Sequence, residues 1–110
     1  MSVTHIVLFK FKDDVKPEAV KDACLKIPSL KDTCVHPTTK QPYILSLKSG
    51  KDNSPEGLQG GLTHGFVVEF ASAEDRDYYV KSDPGHQDFI KSFAGVLEKI
   101  TVLDFSDGVY

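Results

Sequence analysis

The sequence predicts an α+β fold, a four-stranded antiparallel sheet with its helices on one face. Two observations carry this. Segments with strand-like alternation and segments with helical spacing follow one another as strand, helix, strand, strand, helix, strand, the split βαβ order. The first and last strands are also apolar on both faces, so a sheet covered by helices on one side needs a further cover on the other. In a chain of 110 residues, the readiest cover is a second copy of the same sheet.

His5–Phe11 reads as the first strand. Val3, His5, Val7, Phe9 and Phe11 share one face, and Ile6 and Leu8 the other. Asp13-Asp14 turns the chain, and Pro17 suits the first turn of a helix. Val20, Ala23, Cys24 and Ile27 then fall at i, i+3, i+4 and i+7, one apolar helical face. Pro28 is expected to stop this helix. Ser29–Pro42 is expected to be irregular, apart from an extended piece at Thr33–Val35. Tyr43–Lys48 is the second strand, with Tyr43, Leu45 and Leu47 on one face. Gly50–Gly61 is a turn-rich loop; without a Gly-Lys-Ser/Thr ending it is not a phosphate loop.

Thr63–Phe70 is the third strand, with His64, Phe66, Val68 and Phe70 on one face. Ser72 and Asp75 make a variant capping box for a helix carrying Tyr78, Tyr79 and Val80. Asp83-Pro84 starts another helix, with Asp as N-cap and Pro at the first helical position. Its apolar stripe runs His86, Phe89, Ile90, Phe93, Leu97. Ile100–Phe105 closes the sheet, and Val109 and Tyr110 in the tail suit packing across a dimer.

A formal net charge of −3 argues against the basic face that nucleic acid requires. No segment approaches the roughly 20 apolar residues of a membrane-spanning helix, and Met1–Thr4 offers no basic start to a secretory signal. Cys24 and Cys34 lack metal-ligand spacing and are expected to be reduced thiols. These features predict a cytoplasmic protein, one domain over residues 1–110, with neither nucleic-acid nor membrane partners. A domain this small buries roughly 65% of its unfolded surface, and it gains from a partner subunit.

Taken together, His5–Phe11, Gly61–His64, Phe70–Ser72, Asp83–His86 and Val102–Phe105 resemble the stress-responsive A/B-barrel (Dabb) family. The resemblance covers nearly the whole chain. It implies a ferredoxin-like homodimer, a dimeric α/β barrel in which two sheets face each other. The family includes a plant polyketide cyclase that closes a linear polyketide by aldol condensation, using a Tyr and a His. By motif, its His corresponds to His86, its other pocket histidines to His5 and His64, and its strand-end aspartate to Asp104. An ungapped count back from Pro84-Gly85-His86 puts Val80 at the tyrosine's position, with Tyr79 one residue earlier.

His5, His64, His86 and Asp104 are thus polar groups on otherwise apolar inward faces. In a catalytic reading, Asp104 orients His86 as a general base near neutral pH, and Tyr79 donates to a developing enolate oxygen. In a binding reading, the histidines are hydrogen-bonded groups lining a partly wet cavity. His5, Val7, Phe9, His64, Phe66, Phe89, Ile90, Phe93 and Val102 are then the expected lining for a small hydrophobic ligand. The four polar groups come from separate elements, so no metal site is assigned, and no cofactor either. Cys24, on an apolar stripe, is not a nucleophile. Three functions follow as expectations: a ligand-binding homodimer, a cyclase-like lyase using His86, or a purely structural dimer.

Overall fold

The computed structural model describes residues 1–110. Four strands, β1 (Val3–Phe11), β2 (Ile44–Lys51), β3 (His64–Phe70) and β4 (Leu97–Phe105), form one antiparallel sheet in the order β2-β3-β1-β4. The helices are α1 (Pro17–Thr33), α2 (Ala73–Lys81) and α3 (Pro84–Phe93), followed by a 3₁₀ turn at Ala94–Val96. None of them is long and apolar enough to cross a membrane. The expected ferredoxin-like α+β arrangement is therefore observed.

Along β1 the odd-numbered residues Val3 to Phe11, His5 included, are buried. The even-numbered ones face the other way, and Leu8 is exposed. Antiparallel register carries the same division to its neighbours, because directly opposed residues share a face. Val67 of β3 and Leu103 of β4 oppose Ile6, and Phe105 opposes Thr4. An apolar outer face results, on which Leu8, Leu103 and Phe105 are exposed. Gly65 belongs to this face opposite Leu8. A Cβ there would lie 2.9 Å from Leu8 Cδ2, so the missing side chain lets the leucine lie flat.

Helix α1 runs through Pro28 rather than ending there. A proline in a helix interior costs about 3 kcal/mol. The turn beyond it sinks Leu30 into the core and leads to the buried Cys34, and burying one leucine returns about 1.5–3 kcal/mol. Ser29 Oγ also donates to the Lys26 carbonyl at 2.6 Å, within the disturbed turn. Of the expected extended piece, Thr33 belongs to the helix and only Val35 forms a bridge, to Pro42.

In the expected second strand, Tyr43 and Leu47 keep the inward face and only Leu45 leaves it. Ile44 is buried and Leu45 exposed, because the pairing with β3 slips at Leu45 and one residue there is extra. At the other end, the apolar helical stripe stops at Phe93. Leu97 belongs to β4, where it pairs with Phe11. The loop after β2 is tied to itself, since Gln59 Nε2 donates to Asp52 Oδ2 at 2.6 Å.

The α2 and α3 helices are split by their caps. Ser72 Oγ accepts from the Asp75 N–H at 3.1 Å to open α2. The Tyr78 carbonyl receives both the Ser82 and Asp83 N–H groups at its end. Asp83 then caps α3, its Oδ1 accepting from the Gly85 N–H at 2.9 Å, with Pro84 behind it. Asp83 is almost wholly buried, and its Oδ2 accepts a short hydrogen bond from the Tyr43 hydroxyl. Burial and this carboxylate push the Tyr43 phenol well up, while burial pushes the neighbouring Cys34 thiol up to about 12. Both cysteines are free.

Candidate functional site

A cavity of about 740 Å³ lies between the α2–α3 layer and strands β1 and β4. Its wall is mainly apolar, with Val7, Phe66, Val80, Phe89, Phe93 and Val102 among the lining side chains. His5, His86, Asp104 and Arg76 bring polar groups to it. Ile90, Ile100 and Val102 line it while remaining partly exposed, so the cavity opens to solvent.

Register places the first polar pair. His5 opposes Asp104 across β1 and β4, and His5 Nδ1 lies 2.7 Å from Asp104 Oδ1. A carboxylate only accepts, so Nδ1 carries the proton and donates. Asp104 Oδ2 accepts from Arg76 Nη1 at 2.8 Å, and Arg76 Nε donates to Asp77 Oδ1 at 2.8 Å. The two carboxylates hold the guanidinium pKa above its ordinary value. Neither a protein partner nor full enclosure is found for His5 Nε2, on a side chain that lines the cavity.

His86 is placed differently. One turn into α3, its Nδ1 lies 2.8 Å from the Tyr79 carbonyl of α2. A carbonyl also only accepts, so this imidazole too carries its proton on Nδ1 and keeps a lone pair on Nε2. The Tyr79 ring stacks on it at 3.8 Å between centroids. Burial lowers the His86 pKa below its ordinary value; the Tyr79 carbonyl opposes that shift and His5 adds to it. The imidazole is consequently neutral at neutral pH.

This geometry corrects three expectations. Asp104 orients His5, not His86, because the strand register brings it to β1 and the Tyr79 carbonyl occupies His86 Nδ1. Tyr79 is fully buried and does not line the cavity; its hydroxyl has no hydrogen-bond partner, and Val80 stands in the wall instead. His64 and Phe9 lie outside the cavity as well. They oppose each other in the sheet, four residues along β1 from His5, about 13 Å at strand rise. Phe9 is wholly enclosed in the core, and His64 stacks on it while sharing a 2.7 Å hydrogen bond with Thr63 Oγ1.

Of the expected lining residues, His5, Val7, Phe66, Phe89, Ile90, Phe93 and Val102 border the cavity, as do His86 and Asp104 from the catalytic reading. Sequence reasoning passed over Arg76. One signal for it existed: it is the only arginine in the chain, and arginine suits a fixed carboxylate pairing better than lysine. No three histidine, cysteine or carboxylate side chains converge as a metal ligand set.

A family model described as the Stress responsive A/B Barrel Domain, Dabb, matches residues 3–107. The chain belongs to this family. It is 33% identical over 103 residues to the stress-response A/B barrel domain-containing protein HS1 of Arabidopsis thaliana, covering 94% of this chain and 87% of that one. It is 30% identical over 107 residues to olivetolic acid cyclase of Cannabis sativa, covering 96% and 97%. Among solved structures, the hydroxynitrile lyase of Passiflora edulis superposes with a TM-score of 0.83 at 25% identity, over 99% of this chain and 96% of that one. A dimeric ferredoxin-like protein of unknown function from Thermobifida fusca gives 0.75 at 21% identity, over 96% and 91%. This Dabb chain is thus similar to proteins named for stress response, to a named cyclase and, in its fold, to a named lyase.

Proposed function

We propose that this Dabb chain is a homodimer, joined through the outer faces of its sheets, that binds a small hydrophobic ligand in the helix–sheet cavity. The observation that carries the binding role is the wall itself: largely apolar side chains, with two lining imidazoles whose Nε2 atoms lack protein partners. Such a combination of apolar bulk and a few convergent polar groups is typical of ligand sites. The dimer is supported by the apolar outer face around Leu8, Leu103 and Phe105, and by the dimeric protein of like fold. Sedimentation of the wild-type chain at micromolar concentration is expected to give a dimer, and Leu103→Asp a monomer. A wild-type monomer refutes the interface. Titration with naphthalene-sized apolar probes, followed by NMR, is expected to shift Phe89 and Val102 resonances. Their indifference refutes the binding role.

A second reading has its own observation in its favour. His86 is neutral, tautomerically fixed and adjacent to the cavity, which suits a general base in a cyclase-like or other lyase reaction. Two relatives are named for chemistry of this kind. With Val80 in the wall and the Tyr79 hydroxyl buried elsewhere, proton transfer falls to the histidines alone. A polyketide substrate turned over by wild type and not by His86→Gln, at similar melting temperature, is the expected result. Equal turnover by the variant removes His86 from the mechanism.

A further inference from the structure

The hydrogen-bonding polarity of the cavity narrows the chemistry of its ligand, an inference that rests on the binding role proposed above. His5 Nδ1 is committed to the Asp104 carboxylate and His86 Nδ1 to the Tyr79 carbonyl. Both partners are pure acceptors, so what each imidazole has left is a lone pair on Nε2. The charged donors around the cavity are each anchored by an acceptor of the protein. Arg76 gives Nε to Asp77 and Nη1 to Asp104, and Lys99 Nζ donates to the Gly60 carbonyl at 3.3 Å. The carboxylates that line the site are themselves paired, Asp77 and Asp104 with Arg76 and Glu98 with Lys10 at 2.9 Å.

We propose that the cavity selects an apolar molecule that donates an O–H hydrogen bond, a phenol, enol or alcohol, to the Nε2 atom of His5 or His86, and disfavours carboxylates. A ketone or carboxylate meets lone pairs with lone pairs there and leaves buried acceptors unsatisfied, which costs affinity. Arg76 is a positioning residue in this scheme: by holding Asp104 it keeps the His5 proton on Nδ1.

Two measurements test this on the full chain. In the first, ¹⁵N NMR of the imidazoles at pH 7.5 is expected to show protonated Nδ1 and unprotonated Nε2 for both His5 and His86. A proton on Nε2 of either ring overturns the acceptor pair. In the second, 2-naphthol, naphthalene and 2-naphthoate are titrated by calorimetry. The naphthol is expected to bind at least tenfold tighter than naphthalene, and the naphthoate no tighter than naphthalene. Binding with naphthoate equal to or ahead of naphthol, or with naphthalene as tight as naphthol, overturns the ligand class while leaving the cavity as a binding site. Failure of all three to bind removes the binding role and the ligand class with it.

Discussion

The space beneath the helices has two halves that treat their polar groups in opposite ways. On the side packed by α1, around Phe9, Ile27, Leu30, Tyr43 and Phe70, the interior is filled. There Asp83 is spent on Tyr43 and Gly85, and His64 on Thr63. On the β4 side the layer is hollow, and His5 and His86 each use one nitrogen on the protein and leave the other toward the cavity. Leftover hydrogen-bonding capacity, more than histidine content, is what separates the working half from the supporting half.

That contrast can be broken most severely in the filled half. Phe9→Ala is expected to cost about 3–5 kcal/mol, the range for emptying a buried aromatic site, as read by urea denaturation. A loss below about 1 kcal/mol contradicts the filled core. Asp83→Ala follows at about 2–4 kcal/mol, because it removes an N-cap and strands the buried Tyr43 hydroxyl. His86→Phe, in the hollow half, is expected to change stability by less than about 1 kcal/mol while lowering affinity for a cavity probe at least tenfold. If both properties fall together, His86 is a packing residue.

Acidification sharpens the comparison. Burial depresses the pKa of both His86 and His64 in the folded chain, whereas in the unfolded chain each titrates near about 6.5. Between those values the unfolded chain binds more protons. Stability is therefore fully present above about pH 6.5 and declines as pH falls through the lowered values. The urea midpoint measured from pH 7.5 to 5 is expected to drop, and to drop less in His86→Phe. The smallest effect is expected from Tyr79→Phe. It removes a buried hydroxyl that has no partner, so stability is expected to hold or rise by up to about 1 kcal/mol; a clear loss would reveal a partner.

Much of this architecture is legible in the residues. Alternation in β1 put His5, Val7 and Phe9 on one face, and the Asp83-Pro84 cap put His86, Phe89 and Phe93 on another inward face. Pairings across the sheet were not legible, because nothing in a single sequence sets how β4 slides along β1. That slide decides that Asp104 meets His5. Local spacing also misjudged Pro28 and Leu45: tertiary burial of Leu30 and Cys34 together offset the proline, and a one-residue bulge turned Leu45 out of the face that Tyr43 and Leu47 keep. Tyr79 and Val80 are adjacent on one helix, and which of them faces the cavity depends on where α2 gives way to α3.

Gly85 ties the two halves together. A Cβ at that position would sit 2.8 Å from the Thr33 carbonyl oxygen at the end of α1, so α3 rests on α1 through bare backbone. The next residue is His86. Where the imidazole stands over the sheet is thus indexed by a seam one methyl group wide, and any alteration at the tail of the first helix reaches the ligand's hydrogen-bonding partner through a single peptide unit.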